Sequence, residues 1–229
     1  MWWITAYAIA MALLEAAVVV YLRALYYPHG VGFPLSPVDH DLGMGAVARE
    51  AATKLMLLAP AAMVARSASV RFAWFCFAFG VWDIFYYVWL KVFLDWPASL
   101  FDWDILFLIP VPWVGPVLAP CIVSLGLIAF AIVVLHERQR SASLTVARWR
   151  WITLVGGALV MISSFMLDYL RHLAAKGALA QAWSIGLDAA DTFASATDYV
   201  PTAFPWWLFL LGLALSASAL LTLVFRRRA

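Results

Sequence analysis

The sequence predicts an all-α fold, a polytopic integral membrane bundle of about six transmembrane helices forming one domain over residues 1–229. Three observations predict it: the apolar composition, the length of the apolar runs, and the one-sided placement of lysine and arginine. Apolar residues make up 66% of the chain and charged residues 12%, against roughly 45–50% and about 25% in soluble domains. A soluble globule of this size would have to expose much of that hydrocarbon to water, so lipid is the expected solvent and first partner. The formal net charge of +2 gives no reason to expect nucleic acid.

A helix rises 1.5 Å per residue and needs about 20 residues to cross the hydrocarbon layer. Runs of that length lie near 3–25, 46–65, 71–94, 113–135, 150–170 and 204–225. The first lacks a basic leader and a small-residue cleavage site, and reads as a retained span. The approach to the fourth is punctuated by Pro110, Pro112, Pro116 and Pro120. Each interior proline removes a backbone donor and clashes with the preceding turn. Ile105 to Gly115 therefore reads as a short or broken segment before a helix that settles after Pro116. Irregular backbone at membrane depth is tolerated only inside protein or against a wet cavity.

The basic residues set the orientation. With both termini cytoplasmic, Arg66, Arg71, Arg138, Arg140, Arg148, Arg150, Arg226, Arg227 and Arg228 fall inside, nine of the fifteen Lys and Arg residues. Among the acids of the connections only Glu137 joins them, whereas Asp39, Asp41, Asp95, Asp102, Asp104, Asp188, Asp191 and Asp198 fall outside. The expected location is the cytoplasmic (inner) membrane. Trp2, Trp3, Tyr26, Tyr27, Trp96, Trp103, Trp149, Trp151, Trp206 and Trp207 collect at span ends, where amphipathic rings favour the headgroup region.

The first and third spans share a pattern. Glu15, five residues, Tyr21, Leu22 and Arg23 match Asp83, five residues, Trp89, Leu90 and Lys91; Asp168-Tyr169-Leu170-Arg171 is a poorer version in the fifth. The pattern is compatible with a duplicated helical hairpin and equally with chance in an aromatic-rich chain. In either case the acid lies near mid-membrane and the base toward the outer interface, within snorkelling reach. Asp83, Tyr87 and Lys91 follow i, i+4, i+8 spacing on one helix face.

Ionisable residues within spans cost roughly 2.5–3.5 kcal/mol each at helix centres and therefore face the bundle interior. Glu15, Glu50, Lys54, Asp83 and Asp168 are the deep candidates, with Arg23, Arg49, Lys91, Arg171 and His172 nearer the outer boundary. Glu50 and Lys54 stand at i, i+4 in the favourable acid-first order and can satisfy one another. The expected site is a polar, outward-facing cavity between spans one, two, three and five, roofed by the loop from Trp96 to Trp113. The competing reading is a set of interhelical ion pairs that hold the bundle together.

No metal and no cofactor is expected. Asp102 and Asp104 lack a further oxygen ligand nearby, and Asp104 reads more simply as the N-cap of a short helix starting at Ile105. His29, His40, His136 and His172 lie in connections or at span ends, where facing haem ligands are not placed; His40 with Asp39, Asp41 and His29 reads as a solvated loop. Cys76 and Cys121 sit in apolar runs without CxxC spacing. Gly156-Gly157 and Gly212 permit close helix contacts, and residues 173–200 suggest an external amphipathic helix or ordered loop.

The leading functional expectation is binding or transport of a small molecule or ion, with Glu15 and Asp83 as coupling groups and Arg23, Lys91 and Arg171 attracting an anionic part of the ligand. The alternatives are an accessory subunit of a larger membrane complex, associated with quinone, lipid or pigment, and a lipid-modifying membrane enzyme. Homo-oligomerisation is compatible with all three.

Overall fold

An apolar run folds as a helix in lipid because a helix satisfies its backbone within itself. The computed structural model describes residues 1–26, 33, 40–140, 148–179 and 198–225, and the chain is mostly helical. Helix α1 is Trp2–Tyr26, α2 is His40–Val64 and α3 is Ala68–Leu94. A hairpin follows, with β1 at Trp103–Phe107 and β2 at Trp113–Pro116. Then come α4 (Leu118–Arg140), α5 (Arg148–Ala175) and α6 (Trp206–Phe225).

Four stretches are long and apolar enough to cross a membrane: Trp2–Leu25, Ala68–Leu94, Leu118–Gln139 and Arg148–Ala175. The other two expected spans exist as helices with a qualification each. α2 has the length, but Arg49, Glu50 and Lys54 cluster near its middle. α6 carries a shorter apolar run, Trp206–Thr222. Boundaries also move: α2 begins at His40, six residues early, and α5 continues to Ala175. The expectation for residues 173–200 falls largely outside the described residues, as do His29 and Asp39.

The proline-rich segment is the main correction. The expected short helix from Ile105, with Asp104 as its N-cap, is an antiparallel strand pair in which Trp103 faces Pro116, Asp104 faces Gly115 and Ile105 faces Val114. The reason lies in the two flanks. Pro110 and Pro112 occupy the connection, and Pro116 ends β2, so no proline removes a donor from the middle of a ladder. Pro120 falls in the first turn of α4, where its missing N–H has no partner to lose. The fourth helix consequently starts at Leu118, after Pro116 as expected, although the apolar run itself begins near 113.

The Asp102 carboxylate accepts the Ala98 and Ser99 amides at 2.8 and 3.2 Å and shapes the approach to the hairpin. At the end of α3, Asp95 adopts a left-handed conformation (φ 51°) and its amide returns to the Lys91 carbonyl.

Helix α3 is the hub. It packs against α1, α2 and α4 through a core that includes Ala8, Met11, Ala12, Leu57, Cys76, Phe77, Ala78, Phe130 and Ala131. The Trp89 indole donates to the Ile9 carbonyl at 3.2 Å, and the Tyr7 hydroxyl donates to the Met56 carbonyl at 2.8 Å, which ties α1 to both neighbours. α5 and α6 form a second close pair and touch α4 only sparsely. Strand β2 bridges the two groups by lying against α5, where Val111 and Val114 pack on Tyr169 and Leu173.

The two ends of the bundle differ in charge. Met1, the start of α3 and Leu135 with Arg138 of α4 surround one cavity, and Phe72 meets Trp151 at the start of α5. The helix ends next to Arg66, Arg71, Arg138, Arg148 and Arg150 therefore share one end. The hairpin, with Asp95, Asp102 and Asp104 around it, marks the other.

Candidate functional site

The sequence places acids on helices; the fold decides what each acid meets. Glu15 on α1 is ion-paired with Arg49 on α2 and accepts the Thr53 hydroxyl at 2.9 Å. Glu50, one residue after Arg49, turns to another face. It pairs with Lys54 as the i, i+4 spacing predicts, and its second oxygen accepts the Leu108 amide at 2.8 Å. That bond latches the hairpin to α2. The Lys54 ammonium lies 4.7 Å from the Phe107 ring centroid, adding a cation–π contact to the same latch.

A third attachment joins the hairpin to α3, where the Tyr87 hydroxyl donates to Asp104 at 3.0 Å. Arg23, at the end of α1, stacks over the Trp96 ring at 4.2 Å. Arg23, Arg49, Glu15 and Asp104 all lie within electrostatic reach of the Tyr86 hydroxyl, so these groups form one polar region between α1, α2, α3 and the hairpin. Its walls are aromatic: Tyr86, Tyr87 and Trp96 form successive ring contacts.

The remaining expected residues are distributed differently. Asp83, deep on α3, accepts the Ser124 hydroxyl of α4 at 2.7 Å and is buried. Lys91 is exposed and pairs with Asp95 at 2.7 Å, so it shares the helix face of Asp83 and Tyr87 without joining them in a contact. Asp168 and Arg171 do not join the region under the hairpin. Asp168 accepts the Tyr199 hydroxyl at 2.7 Å and the Thr202 hydroxyl at 2.9 Å, and Arg171 is exposed. Close by, Asp198 holds Lys176, and its carboxyl is pulled below the usual range first by the hydrogen bond from that ammonium. The expected participation of span five is thus replaced by that of the hairpin.

A regularity joins the three acids of the sequence echo. Glu15, Asp83 and Asp168 each accept a hydroxyl from the segment that follows in the chain, namely Thr53, Ser124 and Thr202. The acids were visible in the sequence, but their partners lie 34 to 41 residues away. Neither Thr53 nor Ser124 is distinguishable there from other hydroxyls in apolar helices. Asp104, first read as a cap, is the other residue that sequence reasoning misplaced.

Asp104 is the titratable group of the hairpin. Burial pushes its carboxyl up to about 6, against the opposing pull of Arg23 and of the Tyr87 hydrogen bond. A carboxyl raised in the folded protein favours its neutral form there. Its contribution to stability is fully present below the ordinary value of about 4 and is lost as pH rises through about 6. Asp104→Asn is expected to remove that component: thermal melting in detergent should fall between about pH 4 and 6 in the wild type, relative to a flatter profile in the variant.

Among the described residues, no three His, Cys, Asp or Glu side chains gather in a way that could hold a metal ion. No protein-family model matches the chain, and no curated protein or solved structure matches it either.

Proposed function

We propose that the chain is a multi-pass membrane protein of about six spans with both termini cytoplasmic. On this reading, the polar region between α1, α2, α3 and the hairpin binds a small polar or ionic ligand from the outer side. The observation that carries the reading is the hairpin latch. Glu50 holds the Leu108 amide, Lys54 lies over Phe107 and Tyr87 holds Asp104, so a short β element is seated by polar contacts on α3 and on the same helix, α2, that carries Arg49 of the Glu15–Arg49 pair. Buried ion pairs are a poor route to stability compared with apolar packing. Two part-buried pairs, Glu15–Arg49 and Glu50–Lys54, beside one separable element fit a site that opens and exchanges partners.

Both signs of charge are available, with carboxylates at Glu15, Glu50 and Asp104 and cations at Arg23, Arg49 and Lys54 beside aromatic walls. That combination suits a zwitterionic or hydroxylated small molecule. The region is blind on its other side. Toward the basic end, α1, α3 and α4 close through Ile4, Ala8, Met11, Phe77, Phe130 and Val134, all buried. The geometry therefore favours one-sided binding over conduction through the bundle.

Native mass spectrometry of the protein purified in mild detergent from its own membranes tests the reading. A small-molecule adduct carried by the wild type and absent from Glu50→Gln supports it. Co-migration with other subunits, without such an adduct, supports the accessory-subunit alternative instead.

A further inference from the structure

A second feature, separate from the polar region, lies between the two helix pairs. Where the α3–α4 pair and the α5–α6 pair diverge, an apolar cavity of about 370 Å³ remains, lined among others by Phe72, Gly126, Phe130, Trp151, Ala158 and Leu220. It runs from the starts of α3 and α5, at Phe72 and Trp151 on the basic side, to mid-bundle, where Val123 to Phe130 of α4, Met161 of α5 and Leu213 of α6 line it. Water gains nothing there, since a buried water needs two or more polar partners. The Ser216 hydroxyl, on a residue that lines the cavity, is buried and has no partner.

Beside this cavity is a cation without a neutralising partner among the described residues. Arg150, in the first turn of α5, is only 6% exposed. Its Nε is buried without a hydrogen-bond partner, and its guanidinium lies 5.3 Å from the Trp149 ring centroid. It makes no ion pair among the described residues. Trp151, the next residue, lines the cavity, and so does Leu154, one turn farther along the face that carries Arg150. Arg148, two residues earlier, and the positive end of the α5 helix dipole add to the same field. A buried, uncompensated arginine is costly unless an anion completes it.

We propose that this cavity is a binding site for one anionic glycerophospholipid from the leaflet at the basic end. One acyl chain fills the apolar space and the phosphate meets Arg150. Charge complementarity selects the lipid class: the site offers a guanidinium to a phosphate, and no carboxylate of the first turn of α5 to the ammonium of a zwitterionic headgroup.

The test is lipid titration of the delipidated protein in detergent, read by native mass spectrometry, with dioleoyl phosphatidylglycerol and dioleoyl phosphatidylcholine as probes. Wild type is expected to retain one phosphatidylglycerol per chain and to prefer it by about tenfold, as expected for one charge-assisted pair. Arg150→Gln should erase the preference and Arg150→Lys should keep most of it. Gly126→Phe should block binding of both lipids by filling the cavity, since no atom lies within 4 Å of a Cβ built at that glycine. Inorganic phosphate at equal concentration should not compete. Equal binding of the two lipids by wild type, a preference that survives Arg150→Gln, full binding by Gly126→Phe, or displacement by inorganic phosphate would each overturn the proposal. Should Arg150→Gln fail to fold, Arg150→Lys and Gly126→Phe decide the matter alone.

Discussion

Gly157→Val is expected to force α5 and α6 apart and to destabilise the folded protein by roughly 3 kcal/mol or more, the upper range for overpacking. The size of the effect follows from what the new side chain would meet. A Cβ at Gly157 would lie 2.7 Å from the Gly212 carbonyl oxygen and 2.9 Å from the Ser216 nitrogen. The contact is mutual, because a Cβ at Gly212 would lie 2.6 Å from the Gly157 carbonyl oxygen. Those are backbone atoms, with no flexible side-chain end to move aside. Where lipid competes equally for apolar surface, helices associate by close packing at small residues, so separating the backbones removes most of what joins this pair. The neighbouring position supplies the control. A Cβ at Gly156 meets nothing within 4 Å, so Gly156→Ala should be neutral or stabilising by up to about 1 kcal/mol through helix propensity. Unfolding of both variants in detergent with increasing sodium dodecyl sulfate measures the difference.

Arg49→Gln should be nearly as damaging, by about 2–4 kcal/mol, since removing one partner leaves the other charge buried and uncompensated. The side chain of Glu15 is only 11% exposed and would keep the Thr53 hydroxyl alone. The asymmetry is the diagnostic part. Glu15→Gln combined with Arg49→Gln should recover much of the loss, because an amide pair carries no uncompensated charge. A double-mutant cycle by the same unfolding measurement gives the coupling. Additive losses would mean that the pair is fully solvated and uncoupled, which contradicts a part-buried polar region between α1 and α2.

Much of this architecture is readable from the chain because lipid makes it a local problem. Length and hydropathy locate helices near every expected span, and Arg66, Arg71, Arg138, Arg148 and Arg150 share one end because the helices alternate in direction. Glu50 and Lys54 pair as their spacing requires, since both ends of that interaction lie within one turn of helix. The hairpin is not local in this sense. Pro110, Pro112, Pro116 and Pro120 read as a broken helix, and the alternative emerges only when Trp103 to Phe107 finds Trp113 to Pro116 as a partner. For the same reason Asp104 reads as a cap until Tyr87, on another element, is placed against it. The acids Glu15, Asp83 and Asp168 are evident, yet which of them share a region depends on helix rotation, and composition does not encode rotation. Asp168 therefore leaves the expected group, and Glu50 enters it more deeply than its spacing with Lys54 implies. The cavity beside Arg150 has no sequence signature at all, because it is the gap left where two helix pairs diverge.

The most direct test of the central claim asks from which side water reaches the Glu15–Arg49 pair. Thr53, hydrogen-bonded to Glu15, is replaced by cysteine in a background carrying Cys76→Ala and Cys121→Ala, and is challenged with a small membrane-impermeant thiosulfonate. Labelling from the external solution is expected in right-side-out vesicles, and none in inverted vesicles. Labelling only in inverted vesicles would reverse the orientation. Absence of labelling from either side would contradict an accessible site and leave the charges as structural pairs.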